Sequence, residues 1–112
     1  MNLNPIIISA LKPLGVPLAW MYYTGSVKPY MQFSVYDEYG SVFADDVETA
    51  TTYYVQIDVF SETSPNTIAK QAREALEGAG FDHDRTRDFF ESDTLLYHKV
   101  LTFTYYNESM EG

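Results

Sequence analysis

Residues Thr51–Ser61 read TTYYVQIDVFS and form the strongest strand pattern in the sequence. It is β-branched and aromatic almost throughout, which is typical of a β-strand. Successive side chains of a strand point to opposite faces of the sheet, so the stretch has one apolar face and one mixed face. The apolar face carries Tyr53, Val55, Ile57 and Val59. The mixed face carries Tyr54, Gln56, Asp58 and Phe60.

The segments on either side of this strand predict an α+β fold. Pro and Gly bracket two helices, from Asn4-Pro5 to Gly15 and from Ser64-Pro65 to Gly80, with Asn4 and Ser64 as N-caps. The remaining predicted elements are the strands Leu18–Tyr23 and Tyr30–Tyr36, a turn at Asp37–Gly40, a short extended link over Ser41–Asp46, and the hairpin strands Phe81–Glu91 and Leu95–Tyr106 joined near Ser92–Thr94.

The order is therefore α-β-β-β-α-β-β. Strands that follow one another in runs indicate a mostly antiparallel sheet, here of about five strands, with the two helices packed on one face. A chain of 112 residues is expected to form a single domain over 1–112. Residues 107–112 are polar, and we expect them to form a frayed tail.

Charge and cysteine content exclude several classes of function. The formal net charge is −9, and the seven Lys and Arg are scattered, so we predict no direct binding to nucleic acid. Anionic membrane surfaces are disfavoured for the same reason. The chain has no cysteine, which excludes disulfides, thiolate metal sites and a cysteine nucleophile.

Two acidic clusters are the candidates for a metal or catalytic site. In a strand, Asp82 and Asp84 share a face while His83 points away, so the three cannot bind one ion without a bend or bulge. The cluster Asp45, Asp46 and Glu48 lacks the glycine and the spacing of a calcium loop. A small hydrolase or metal enzyme that uses Asp82–Asp84 is the weakest hypothesis. We predict no catalytic residue, no metal site and no cofactor.

Tyrosine points instead to an interaction surface. Adjacent pairs occur at Tyr22-Tyr23, Tyr53-Tyr54 and Tyr105-Tyr106, and in strands each pair places one ring on each face of the sheet. Tyrosine is favoured at interfaces because it buries a large area and keeps a polar group. The alternative is that the link Val42–Ala50 covers the second face. The candidate contacts with a subunit or partner are Tyr54, Gln56, Phe60, Phe89, Phe90, Glu91, Asp93 and Thr94.

Several segments in this order resemble a known family of proteins. The segments are the helix end Leu14–Pro17, the strand Tyr30–Tyr36, Phe43–Asp46, Tyr54–Ser61, Gly78–Phe81, Glu91–Thr94 and Tyr97–Lys99. Together they are similar to the small minor tail proteins of long-tailed bacteriophages and prophages, in particular the tail-terminator or tail-completion group. The resemblance covers nearly the whole chain.

The resemblance implies a structural protein without catalysis. Such a protein has an α+β fold, assembles as a ring, commonly a hexamer, caps the tail tube and then meets the head connector. Its partners would be further copies of itself, the tail-tube protein and the head-connector protein. Its location would be the virion tail, after assembly in the host cytoplasm. The alternative is a small protein-binding module that uses its aromatic sheet face outside any tail.

Overall fold

A computed structural model describes residues 1–42 and 48–108. The predicted order of helices and strands is confirmed. The elements are α1 (Asn4–Leu11), a 3-10 turn (Lys12–Leu14), β1 (Leu18–Trp20), β2 (Tyr30–Val42), β3 (Glu48–Ser61), α2 (Asn66–Gly78), β4 (Asp82–Glu91) and β5 (Leu96–Glu108). None of the helices in the described ranges is long and apolar enough to span a membrane.

The five strands form one mixed sheet in the order β1-β2-β3-β5-β4. β1 runs parallel to β2, and the other three pairs are antiparallel. At the centre of the sheet, Ile57 of β3 lies opposite Phe33 of β2 and Leu101 of β5. The α+β class and the mostly antiparallel sheet are thus confirmed.

The core lies between the sheet and the two helices, which pack on the same face. Tyr53, Val55, Ile57 and Val59 of β3 are all buried there, as their alternation predicts. α2 contributes small side chains, which allow it to lie close to the sheet. The other fully buried residues of the core include Ile7, Leu11, Met31, Phe33, Ala72, Leu76, Leu101 and Phe103.

Both helix starts differ by about one residue from the prediction. α1 begins at Asn4 itself, Leu3 takes the N-cap position, and the side chain of Asn2 accepts a hydrogen bond from the Asn4 N–H at 3.0 Å. In α2 the Ser64 hydroxyl oxygen accepts a hydrogen bond from the Asn66 N–H at 3.3 Å. Gly15 ends the first helical segment with φ 70°, a left-handed conformation that favours glycine.

Two predicted strand boundaries are wrong. The first strand ends at Trp20 rather than Tyr23, because Met21 adopts a positive φ of 68° that takes the chain out of the ladder. The predicted turn at Asp37–Gly40 is instead part of β2, which passes a β-bulge after Val35 and continues to Val42. β3 is long enough to pair with Asp37–Gly40, and this strand pairing overrides the turn preference of those four residues.

Two predicted segments fall partly outside the described residues. The link Val42–Ala50 is strand at both ends, while 43–47 lie outside the described ranges, and with them Asp45 and Asp46 of the acidic cluster. β5 includes Asn107 and Glu108, which pair with Thr51 and Ala50, so the predicted tail 107–112 begins two residues too early. Residues 109–112 lie outside the described part of the chain.

Candidate interaction surface

The face of the sheet opposite the helices forms a shallow groove of about 590 Å³. It is polar and charged along its middle and aromatic at its ends. Its lining residues are Tyr36, Tyr54, Gln56, Asp58, Asp84, Arg85, Arg87, Phe89, His98, Val100 and Thr102. A mixed lining of this kind is suited to contact with another protein surface rather than to burial in the core.

Five rings form a ladder across one end of this face. Tyr23 stacks on Tyr30 with ring centroids 4.2 Å apart, and Tyr30 stacks on Phe60 at 4.8 Å. Phe60 stacks on His98 at 4.0 Å, and Phe89 lies 5.8 Å from His98 on the outer side. We call Tyr23, Tyr30, Phe60, His98 and Phe89 the aromatic ladder. It spans β2, β3, β5 and β4, and it therefore ties the two halves of the sheet together at this end.

His98 is the polar centre of the ladder. Its Nε2 lies 2.8 Å from an oxygen of Asp58, and its Nδ1 lies 3.2 Å from an oxygen of Glu91. The side-chain amide of Gln56 donates to both oxygens of Asp58, at 3.1 and 3.2 Å. Asp58 is buried, and these contacts supply its hydrogen-bond partners. A doubly protonated imidazole satisfies both carboxylates at once.

The surroundings of His98 favour its charged form. Burial by itself lowers the pKa of His98, but the hydrogen bond and charge of Asp58 and the charge of Glu91 outweigh it, so the pKa lies above the ordinary value of 6.5. A group that binds its proton more tightly in the folded state stabilises that state when it is protonated. The stabilisation is complete below pH 6.5 and is lost as the pH rises through the raised pKa.

We therefore expect the free energy of unfolding to fall as the pH rises from about 5.5 to about 8.5. Urea unfolding at both pH values measures the fall, and His98→Gln is the matched variant. A glutamine side chain cannot take up a proton, so the variant should be less stable than the parent chain at the lower pH and show a flatter pH profile. Parallel profiles for the two proteins would contradict the assignment.

The eight predicted contact residues do not form one continuous patch. Tyr54 and Gln56 lie in the middle of the groove, with Tyr54 6.2 Å from the ring of Tyr36. Phe60 is only 7% exposed, because it is enclosed in the ladder, and it supports the surface rather than forming it. On β4, Phe89 is the outermost ring of the ladder, and Glu91 lies beside the ladder in contact with His98.

The remaining three predicted residues lie at the β4–β5 turn. Phe90 points to the helix side of the sheet, where its ring meets that of Tyr97 edge-on at 5.1 Å. Asp93 and Thr94 are exposed in the turn itself. The predicted set therefore divides into an open-face group and a turn group, and these two groups present different chemistry to a partner.

Sequence reasoning missed the other rings of the ladder. Tyr23 and Tyr30 lie on the two sides of a loop, and His98 by itself has the pattern of an isolated strand histidine. The adjacent pair Tyr22-Tyr23 was the only signal for the first ring. The exposed apolar side chains at the end of β1 and in the loop after it were also missed, because the short strand gives no alternation to follow. These are Trp20, Met21 and Val27.

Asp82, His83 and Asp84 lie at a β-bulge between His83 and Arg85. The bulge separates their side chains: His83 contacts Thr86 at 2.6 Å and the ring of buried Phe103, whereas Asp84 accepts a hydrogen bond from Thr104 at 2.5 Å. Among the described side chains, those of residues 1–40 and 50–108, no group of three or more His, Asp or Glu is placed to hold a metal ion.

Comparison with known proteins identifies one family. The model of the family described as "Tail completion protein gp17" matches residues 24–108. Among curated proteins, none matches the chain. A chain of a solved structure described as "Virion of native gene transfer agent (GTA) particle" is 14% identical, with a TM-score of 0.59, over 95% of this chain and 87% of that chain. At this identity the likeness concerns the fold alone.

Proposed function

Because this chain belongs to the tail completion protein gp17 family, we propose that it caps the end of a phage tail tube as a ring and joins the tube to the head connector. At the coarser level the protein is a structural component of a phage-type tail, and its place is the virion. The observation that carries the proposal is the family match over residues 24–108, which include four of the five strands, β2 to β5.

The distribution of exposed rings supports assembly into a ring. A ring requires each copy to present two different surfaces, one to each neighbour, and a third surface to the tube. Large apolar side chains are exposed at both lateral edges of the sheet, as with Trp20 on β1 and Phe90 on β4. The groove on the open face, with Tyr54 and Phe89, adds a separate surface for another component of the particle.

The family is structural, which favours a function without catalysis. His98 is already paired with both Asp58 and Glu91, so these three ionisable groups link three strands of the sheet. Their pairing fixes the aromatic ladder. We infer that the partners are further copies of the chain, the tail-tube protein and the head-connector protein, met in the host cytoplasm before the particle is complete.

Capping is tested by tube growth in vitro. Purified tail-tube protein is polymerised with and without this protein, and tube length is followed by electron microscopy with a gold label on the added chain. We expect label at one end of each tube and growth that stops at that end. The charge-reversing variant Lys70→Glu, on the exposed side of α2, is the control and should cap normally.

Tubes that elongate at the same rate from both ends with and without the protein would overturn the proposal. Label along the side of the tube would do so as well. A persistent monomer that binds some other protein through its open face, and no tube, would support the alternative of a binding module.

A further inference from the structure

An apolar groove runs along the β1 edge of the sheet, on the helix side. It has a volume of about 320 Å³ and lies between α1 with its 3-10 turn and β1. Trp20 is 61% exposed there and Ile8 43%. We call this the β1 groove; its lining residues are Ile8, Lys12, Val16, Leu18, Trp20 and Phe33.

A complementary projection lies at the β4–β5 turn. Phe90 is 54% exposed and Tyr97 45%, and their rings pack edge-on against each other. Asp93 follows in the turn and makes no ion pair within the described part of the chain. We call Phe90, Asp93, Leu95 and Tyr97 the hairpin end. Exposed aromatic side chains, tyrosine among them, are enriched among the residues that dominate binding at protein interfaces.

The strand register places the two features at the same end of the molecule and on opposite edges. At the β1 edge, Leu18 pairs with Met31, the residue after Tyr30. From Tyr30 the register runs across the sheet through Phe60 and His98 to Phe89, the residue before Phe90 of the hairpin end. Both features also lie on the helix side of the sheet. Trp20 is the register partner of buried Phe33, and Lys99, two residues from Tyr97, lines a pocket with residues of α2. Copies placed side by side thus bring the two features together.

The β1 edge and the hairpin end also differ in charge. Residues 1–36 contain two of the seven basic residues, Lys12 and Lys28, and none of the sixteen Asp and Glu. The hairpin end lies in the remaining, strongly acidic part of the chain, where Glu91 and Asp93 flank the exposed rings without a basic neighbour in the turn. The segment that forms the β1 edge therefore carries net positive charge in an acidic chain, and the acidic hairpin end of a second copy complements it.

We propose that the hairpin end of one copy docks into the β1 groove of the next copy. Phe90 and Tyr97 then pack against Ile8 and Trp20, while Asp93 faces Lys12. The two surfaces differ, so the contact is head-to-tail and can close into a ring. This inference rests on the proposed ring and names the two surfaces that form it.

Engineered cysteines test the contact directly, because the chain has no cysteine of its own. The variant Ile8→Cys/Thr94→Cys is incubated with tail tubes and oxidised, or treated with a short bis-maleimide. We expect a ladder of covalent oligomers that ends at the ring size on a non-reducing gel. The two single variants lack one half of the contact and should give no ladder. The pair Lys70→Cys/Thr94→Cys has one cysteine on exposed α2 and should give none either.

The charged contact has its own test. Lys12→Glu should reduce the yield of cross-linked oligomer about two- to fivefold at low salt, because it places two acidic groups together. Adding Asp93→Lys to the same chain should restore the yield. All the substituted residues are exposed or partly exposed, and unchanged unfolding midpoints would show that the variants fold.

The outcomes separate this inference from the proposed function. If the unsubstituted chain caps tubes as a ring while the Ile8→Cys/Thr94→Cys variant caps but gives no ladder, the inference is overturned and the proposed function stands. An equally strong ladder from the Lys70→Cys/Thr94→Cys pair also overturns it. If the unsubstituted chain neither forms a ring nor caps tubes, the proposed function and the inference fall together.

Discussion

Replacement of Phe103 with alanine is expected to lower the free energy of unfolding by about 3–5 kcal/mol. The side chain is fully buried on β5, opposite Val55 of β3, and the ring of His83 contacts it edge-on at 5.4 Å. The substitution removes most of a buried ring and leaves a cavity at the centre of the sheet. Small domains have a total stability of about 5–15 kcal/mol, so the loss is a large part of the whole.

Urea unfolding followed by circular dichroism measures the effect. Tyr39→Ala is the matched control, since Tyr39 is an aromatic residue of the same sheet with 67% of its surface exposed. It should change the stability by no more than about 0.5 kcal/mol. Similar losses in the two variants would show that Phe103 is not part of the core.

Phe60→Ala should cost about 3 kcal/mol or more, although Phe60 lies on the face away from the helices. Its ring is held between those of Tyr30 and His98 and is only 7% exposed. Aromatic pairs add about 0.5–1.5 kcal/mol beyond the area that they bury. The substitution also leaves His98 more open to water, so the contribution of Asp58 and Glu91 to its pKa should weaken.

Phe60→Leu separates the ring stacking from the burial. Leucine keeps much of the volume but cannot stack, and we expect this variant to lose about 1–1.5 kcal/mol. Near-ultraviolet circular dichroism should show the loss of ordered aromatic packing in both variants. A loss in Phe60→Ala no larger than that of an exposed residue would contradict the aromatic ladder.

The alternation of β3 is enough to predict the core, because Val55 and Ile57 have to face away from water whatever the strand order. The β4–β5 hairpin is predictable for a similar reason, since its two strands are adjacent in sequence. The position of β5 between β3 and β4, and the parallel pairing of β1, depend on contacts between distant segments. No local pattern in the sequence carries that information.

In the candidate surface, too, some residues are predictable from the local sequence and others depend on contacts between distant segments. Phe89, Phe90 and Glu91 could be predicted as contact residues because they follow one another next to a predicted turn. The aromatic ladder unites rings from a loop and four strands, and Tyr23 and His98 acquire a role only when the strand register is known. The β1 groove depends on where α1 rests on the sheet, which the short β1 does not indicate.

β4 is the outermost strand on its side of the sheet, so one side of its backbone is unpaired within the described part of the chain. Open strand edges of this kind attract other edges, and a protein made in many copies is then at risk of aggregation. The strand carries Asp82, Arg85, Arg87 and Asp88. Non-specific pairing between two such edges would have to desolvate these charged side chains. We therefore expect the charges of β4 to disfavour non-specific association of newly made copies before they assemble in the particle.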